Sequence, residues 1–261
     1  LSFLKSKGTL NSTEVSVMYE PSIIVTQVGE STTWRLLKLL HELLDPEEVR
    51  AVLNGCGATY RKGVKFLWKN TPSRDFIIDY LEKGLHFDSA KLGDMVLPIV
   101  HAKYGIKIIE DRVTKLDGGV INSRWKFDLI LDCSGSPSSQ EIKHSGKYTT
   151  PEFQSVDSAL LIQVPNDTKG TRTDEYSHSV FHDNGWMFMI PLQHRKAYGY
   201  LYNSKITSRE EAEREFISMQ GGVSKEGMKH LTWEFYYKNT IMEDKVLYLG
   251  NKLFFFEPAQ A

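Results

Sequence analysis

The chain changes pattern partway along its 261 residues, and that change limits its fold more than any one motif does. Its first half alternates strand-like and helix-like segments. Residues 14–20 alternate like a strand that Pro21 ends, and Leu36, Leu37, Leu40, Leu43 and Leu44 share one helical face within residues 31–44. Asp45-Pro46-Glu47-Glu48 then starts a second helix: Asp45 can cap, Pro46 fits the first position and Glu48 can reach back, while Asn54-Gly55 stops it. Residues 59–68 read as a strand or strand-loop and 87–103 as a helix. Residues 106–109 and 112–116 are β-like, and Asp117-Gly118-Gly119 turns the chain into 120–126. The apolar run 127–132 has the length of a buried strand and ends in Cys133-Ser134-Gly135.

From residue 158 strands dominate, at 159–164, 186–191, 199–203 and 233–238, with a polar helix at 208–220 between them. A short buried strand at 245–249 closes on Gly250-Asn251. This order predicts an α/β fold, a nucleotide-binding core with a sheet-rich second layer. It is expected to form one domain over 1–261, with 1–135 mainly nucleotide-binding and 151–240 mainly β and substrate-facing.

Composition removes several classes. With 41% hydrophobic and 25% charged residues, disordered, collagen-like and coiled-coil chains are excluded. A net charge of -1 without a basic block leaves no electrostatic footprint for nucleic acid or an anionic membrane. No apolar run approaches the ~20 residues of a spanning helix. Cys56 and Cys133 make no disulfide framework, and a reduced, cytoplasmic setting is expected. The sequons at Asn11 and Asn166 read as chance. Residues 1–7 resemble the tail of an apolar helix, and Phe254-Phe255-Phe256 have no following element to bury them, so truncation at both ends is expected.

Three segments point to chemistry. A strand ending on an acid, here Glu20, is how a doubly wound fold holds an adenosine ribose hydroxyl, though a surface glutamate after a strand reads the same way. In Val28-Gly29-Glu30-Ser31-Thr32, Gly29 would let the backbone approach a ligand, and Ser31 or Thr32 would cap the following helix. A capped turn without a ligand fits that segment equally. In 184–192, Trp186, Phe188 and Ile190 share one strand face by period two, which also describes a core strand. His178, His182 and Asp183 are too few ligands for a metal site, and no neighbouring His or Lys activates Cys133.

Taken together and in order, these segments resemble the flavin-dependent halogenases of the tryptophan-halogenase type, relatives of the single-component flavin monooxygenases. Glu20-Pro21 and Val28 to Thr32 are similar to the family's acid-tipped strand and flavin strap, with Gln27 at the first glycine. Leu85-His86-Phe87-Asp88 resembles its His-Phe-Asp helix start, and Asp132-Cys133-Ser134-Gly135 its Asp-Cys-Ser-Gly turn. Trp186 to Pro191 resembles the Trp-x-Trp-x-Ile-Pro signature, with Phe188 at the second Trp. Gly250-Asn251 and Glu257-Pro258 resemble the late Gly-Asn and Glu-Pro motifs.

The resemblance implies a FAD-binding Rossmann-type core, with an upstream Gly-x-Gly-x-x-Gly turn before Leu1. It implies that Glu20, Val28, Gly29, Glu30, Ser31, Thr32, Val113, Gly135, Gly250 and Asn251 hold the cofactor. Reduced FAD from a separate, transient flavin reductase, O2 and halide would give hypohalous acid. That oxidant would pass through a tunnel to a lysine beside an electron-rich, indole-like aromatic. Trp186, Phe188, Ile190 and Pro191 would keep the substrate away from the flavin. A homodimer remains an open expectation.

The family lysine falls on Arg61, with Lys62 as its neighbour, and the family glutamate falls on Gln260. Arg keeps the charge but cannot readily form a haloamine, and Gln cannot act as a base. On a strand, Lys62 would point away from Arg61's face. The stretch 69–84 is much shorter than the substrate cover of characterised members. Arg61, Lys62 and Gln260 are therefore the candidate catalytic residues. A monooxygenase of the same fold and a non-catalytic flavin-binding paralogue are the alternatives.

Overall fold

The computed structural model describes residues 7–9, 12–23, 28, 30–166, 174–221 and 225–256. In chain order come β1 (Ser16–Tyr19), β2 (Glu30–Ser31), α1 (Trp34–Leu43), α2 (Pro46–Gly55), β3 (Thr59–Trp68), β4 (Phe76–Phe87) and α3 (Ser89–Tyr104). Short strands follow: β5 (Lys107–Glu110), β6 (Leu116–Asp117), β7 (Val120–Ile121), β8 (Trp125–Lys126) and β9 (Ile130–Asp132). Next are α4 (Ser139–His144) and β10 (Tyr148–Thr149). The later half holds β11 (Ser158–Pro165), β12 (Tyr176–His182), β13 (Gly185–Pro191), β14 (Arg195–Tyr202), α5 (Arg209–Met219) and β15 (Lys229–Thr232). It ends with β16 (Tyr236–Lys238), β17 (Met242–Glu243), β18 (Val246–Tyr248) and β19 (Phe254–Phe255).

An eight-stranded sheet in the order β15-β11-β14-β13-β12-β3-β4-β2 dominates. Its β3–β12 junction is parallel and its other junctions antiparallel. Alternation sorts its side chains into two layers. Leu160, Ile162, Met187 and Tyr200 pack under Ala212 and Phe216 of α5. Ala159, Leu161 and Leu201 gather with Val156 on another cluster, joined by Val28, Trp186 and Phe188. Two parallel pairs, β1 with β5 and β9 with β18, lie apart from this sheet, and Met18 of β1 packs on the Ile130–Val246–Tyr248 core. Among the described residues no helix is long and apolar enough to cross a membrane.

On the leucine face of α1, Leu40 and Leu43 are buried with the C-cap Leu44 against Val49, Val52 and Leu85, and Leu36 and Leu37 pack half-buried beside them. The capping box of α2 forms in full, Asp45 accepting from the Glu47 and Glu48 amides. Other expectations fail for identifiable reasons. Neither Ser31 nor Thr32 caps α1. Ser31 lies in β2 opposite His86, the Thr32 amide donates to the Leu85 carbonyl at 2.8 Å, and α1 starts after Thr33 with no side-chain cap. Sheet pairing has taken the backbone that capping would need. Phe87 ends β4 rather than opening a helix, and Asp88 caps α3 through the Lys91 amide. Within 112–116 only Leu116 is in a strand, because Asn122 Oδ1 accepts the Thr114 and Lys115 amides in place of a ladder. Trp233 falls between β15 and β16.

Candidate active site

Arg61 lies in the first half of β3 and is 2% exposed. It pairs with Gly84, whereas Gly63, two residues on, pairs with Asp79, so five steps of β4 oppose two of β3. The extra residues of β4 bring Tyr80 over Arg61, with the ring centroid 5.1 Å from the guanidinium carbon. Burial pushes the guanidinium pKa down, and Tyr80 partly opposes this. Lys62 is exposed, its amide donating to the Glu175 carbonyl at 2.6 Å and its ammonium 5.8 Å from the Tyr176 ring. The two candidates therefore sit in opposite environments, and only Arg61 is inside the protein.

Gly84 serves a second contact. A Cβ there would stand 1.9 Å from the Thr32 carbonyl oxygen, so the segment around Thr32 runs directly against the residue paired with Arg61. Two residues earlier, the Glu30 carboxylate accepts the Ser89 amide at 2.8 Å, and its burial raises its pKa. Beside it, Asp88 pairs with Arg195 at 2.9 Å. Residues 30 and 32 are thus fixed to α3 and β4.

His86, expected only as part of a helix start, is fully buried and bridges three strands. The Thr59 hydroxyl donates its single hydrogen to the Pro191 carbonyl at 2.7 Å. His86 Nδ1, 3.3 Å from the same oxygen, must then carry a proton, and Nε2 accepts from the Ser177 hydroxyl at 2.9 Å. Burial, followed by the charge of Arg61, pushes the His86 pKa down to about 3. The imidazole is a neutral linker between Arg61's strand, β12 and the end of β13. Nearby, Asp174 binds Lys65 at 2.7 Å and His178 at 2.8 Å, and Tyr176 donates to Asp79 at 2.6 Å.

On β13, Met187 and Met189 are buried while Trp186, Phe188 and Ile190 alternate with them, half-buried, as their spacing predicts. The Trp186 and Phe188 rings are 6.0 Å apart. Gly199 pairs with Phe188, and a Cβ there would lie 2.2 Å from the Phe188 ring, so the ring occupies the space that this glycine leaves. A cleft of about 410 Å³ opens beside Trp186 and Phe181.

The residues expected to hold a nucleotide lie at strand termini. Glu20 Oε1 accepts from the Ser22 amide and hydroxyl at 3.1 and 2.7 Å, and these bonds hold its carboxyl below the usual range. Exposed Val113 follows β5. Gly135 (φ 90) and Gly250 (φ 55) follow the parallel neighbours β9 and β18, and nothing lies within 4 Å of a Cβ built at either. Open glycines at the carboxyl ends of parallel strands are what a pyrophosphate-bearing cofactor needs, so these residues fit one. The Asn251 carbonyl is held by the Tyr236 hydroxyl at 2.6 Å. Burial, then Asp132, raises the Cys133 thiol pKa. His178 and His182 join no group of three metal-ligating side chains among the described residues. Gly29 and Gln260 lie outside the described residues.

The solved structures with this architecture include a tryptophan halogenase from Shewanella frigidimarina, with a TM-score of 0.81 at 18% identity over 94% of this chain and 60% of that one. Xcc4156, a flavin-dependent halogenase from Xanthomonas campestris, superimposes with a TM-score of 0.81 at 18% identity, over 99% of this chain and 64% of its own. These likenesses establish the fold. In sequence, the tryptophan 7-halogenase RebH of Lentzea aerocolonigenes is 27% identical over 146 residues, 51% of this chain and 28% of its own length. The tryptophan 6-halogenase SttH of Streptomyces toxytricini is 30% identical over 150 residues, again 51% and 28%. The chain thus matches less than a third of the length of these curated relatives. The family model for tryptophan halogenase matches residues 75–261, well over half of the sequence, and on that ground the chain belongs to the tryptophan halogenase family.

Proposed function

We propose that this protein halogenates an electron-rich, indole-like aromatic with reduced FAD, O2 and halide, and that Arg61 is the residue at the reacting end. The observation that carries this reading is the buried Arg61 guanidinium against Tyr80, on a strand that Thr59 ties to Pro191 of the signature strand. When bound, FAD supplies the two-electron chemistry that turns O2 and halide into hypohalous acid. Gly135 and Gly250 would let the backbone approach its pyrophosphate, and Glu20 would take a ribose hydroxyl. Val28, Gly29, Glu30, Ser31 and Thr32 would hold it as a strap, together with Val113 and Asn251. Trp186, Phe188, Ile190 and Pro191 keep the organic substrate from the flavin.

Arg61 then donates hydrogen bonds to the oxygen of hypohalous acid and draws charge toward it as the O–halogen bond breaks. Neutral His86 holds the surrounding strands without adding a second charge. In sequence Gln260 matches the family's glutamate and cannot serve as a base, so water takes the ring proton. The partners are a transient flavin reductase, halide, a small aromatic substrate and, in a homodimer, a second copy, all in the cytoplasm. Residues 1–135 carry most of the nucleotide site and 151–240 most of the substrate side.

Incubation with FAD, a reductase, O2, bromide and a panel of indoles and phenols tests the reading, brominated product being the expected result. Hydroxylated product would favour a monooxygenase of the same fold, a reading that Phe188 in place of the second Trp keeps open. No product of either kind would favour a non-catalytic paralogue, for which Arg61 and Gln260 argue.

A further inference from the structure

We propose that Tyr80 is an internal halogenation target, converted to 3-halotyrosine by hypohalous acid held at Arg61; this rests on the reading of Arg61 given above. Tyr80 belongs to the stretch of β4 whose extra residues break the register against β3, and that irregularity puts its phenol against the guanidinium at 5.1 Å. Arg61 is 2% exposed with the half-buried Tyr80 ring over it, so oxidant drawn to the guanidinium from the surface meets this ring. A phenol is an electron-rich aromatic, the same class as the substrate. The neighbouring positive charge slows attack by about one order of magnitude. Holding the oxidant in contact is worth an effective concentration on the order of 10⁵ M. Proximity wins.

In the step, the ring carbon ortho to the hydroxyl attacks the halogen. A carbon–halogen bond forms as the oxygen–halogen bond breaks, and the departing hydroxide takes the ring proton and leaves as water. The ring is oxidised by two electrons and the hypohalous acid reduced by two. Arg61 stabilises the leaving oxygen. With an aromatic substrate present the oxidant is consumed there first, and without one the centre marks itself. The added halogen then crowds Arg61.

The test needs neither flavin nor turnover, so it stands apart from the halogenation assay. Purified protein is titrated with hypobromous acid past the equivalents taken by the exposed Cys133 thiol, and bromotyrosine is located by peptide mass spectrometry. Tyr80 is expected to label about tenfold ahead of Tyr60 and Tyr237, although these are 47% and 42% exposed. Labelling that follows exposure, with Tyr60 first, overturns the proposal. Arg61→Ala is expected to erase the Tyr80 preference, and a preference that survives in this variant also overturns it. If Arg61→Ala does not fold, the order in the unaltered protein still decides.

Discussion

Arg61 differs from a lysine at the same place in one chemical respect: it stays protonated and cannot carry a halogen covalently. If its part is to polarise hypohalous acid, Arg61→Lys should leave the bromination rate similar or higher. Arg61→Ala should lower it by on the order of 10²-fold, the usual loss for one electrostatic contact. Lys62→Ala should be mild, since Lys62 sits outside. Steady-state rates for the three variants check this. His86 gives a prediction in stability. Its folded pKa, about 3, lies below the unfolded value near 6.5, so between those values the unfolded chain binds the extra proton. The His86 contribution is therefore fully present above about pH 6.5 and is lost as pH falls toward 3. Urea denaturation at pH 7.5 and pH 5 should show a steeper loss in the parent than in His86→Gln. Equal slopes would mean that His86 is not held neutral.

At the level of elements, Phe188 and Gly199 form one packing unit across β13 and β14. Gly199→Ala would drive a methyl group into the Phe188 ring and should cost about 1–3 kcal/mol, the usual range for overpacking. Paired with Phe188→Leu, the same change should cost clearly less, and a double-mutant cycle by thermal denaturation measures the difference. α5 offers a simpler case. Ser208→Ala removes the side chain that accepts the Glu211 amide and should cost about 1 kcal/mol.

The elements also show what could be read from sequence. β3 was readable at its full length, and the Asp45 capping box followed from four consecutive residues. β4 was not. Phe76, Ile77 and Ile78 are all exposed, so no period of two separates an inside from an outside. The register break around Tyr80 removes what alternation remained. Ser31 and Thr32 carried a capping signal that pairing with β4 overrode. For the candidate site, Arg61 and the signature strand were singled out through motif spacing. The contacts of Tyr80 and His86 depend on a strand irregularity and on three residues far apart in the chain, neither of which leaves a local pattern.

Across the whole molecule, Glu20, Gly135 and Gly250, proposed for the nucleotide, follow the parallel pairs, whereas Arg61 lies in the eight-stranded sheet. Gly135→Val or Gly250→Val would force a branched side chain into left-handed backbone and into open space proposed for the pyrophosphate. FAD affinity, read by flavin fluorescence, should fall on the order of tenfold or more in each, with far-UV circular dichroism unchanged. Unchanged affinity would place the cofactor elsewhere.

The central claim is that Arg61 directs halogenation. Its most direct test is mass spectrometry of the products formed from FAD, a reductase, O2, bromide and an indole, comparing the parent with Arg61→Ala and Lys62→Ala. The account predicts monobrominated indole from the parent and from Lys62→Ala, and about a hundredth as much from Arg61→Ala. Brominated product at the parental rate from both variants would contradict it.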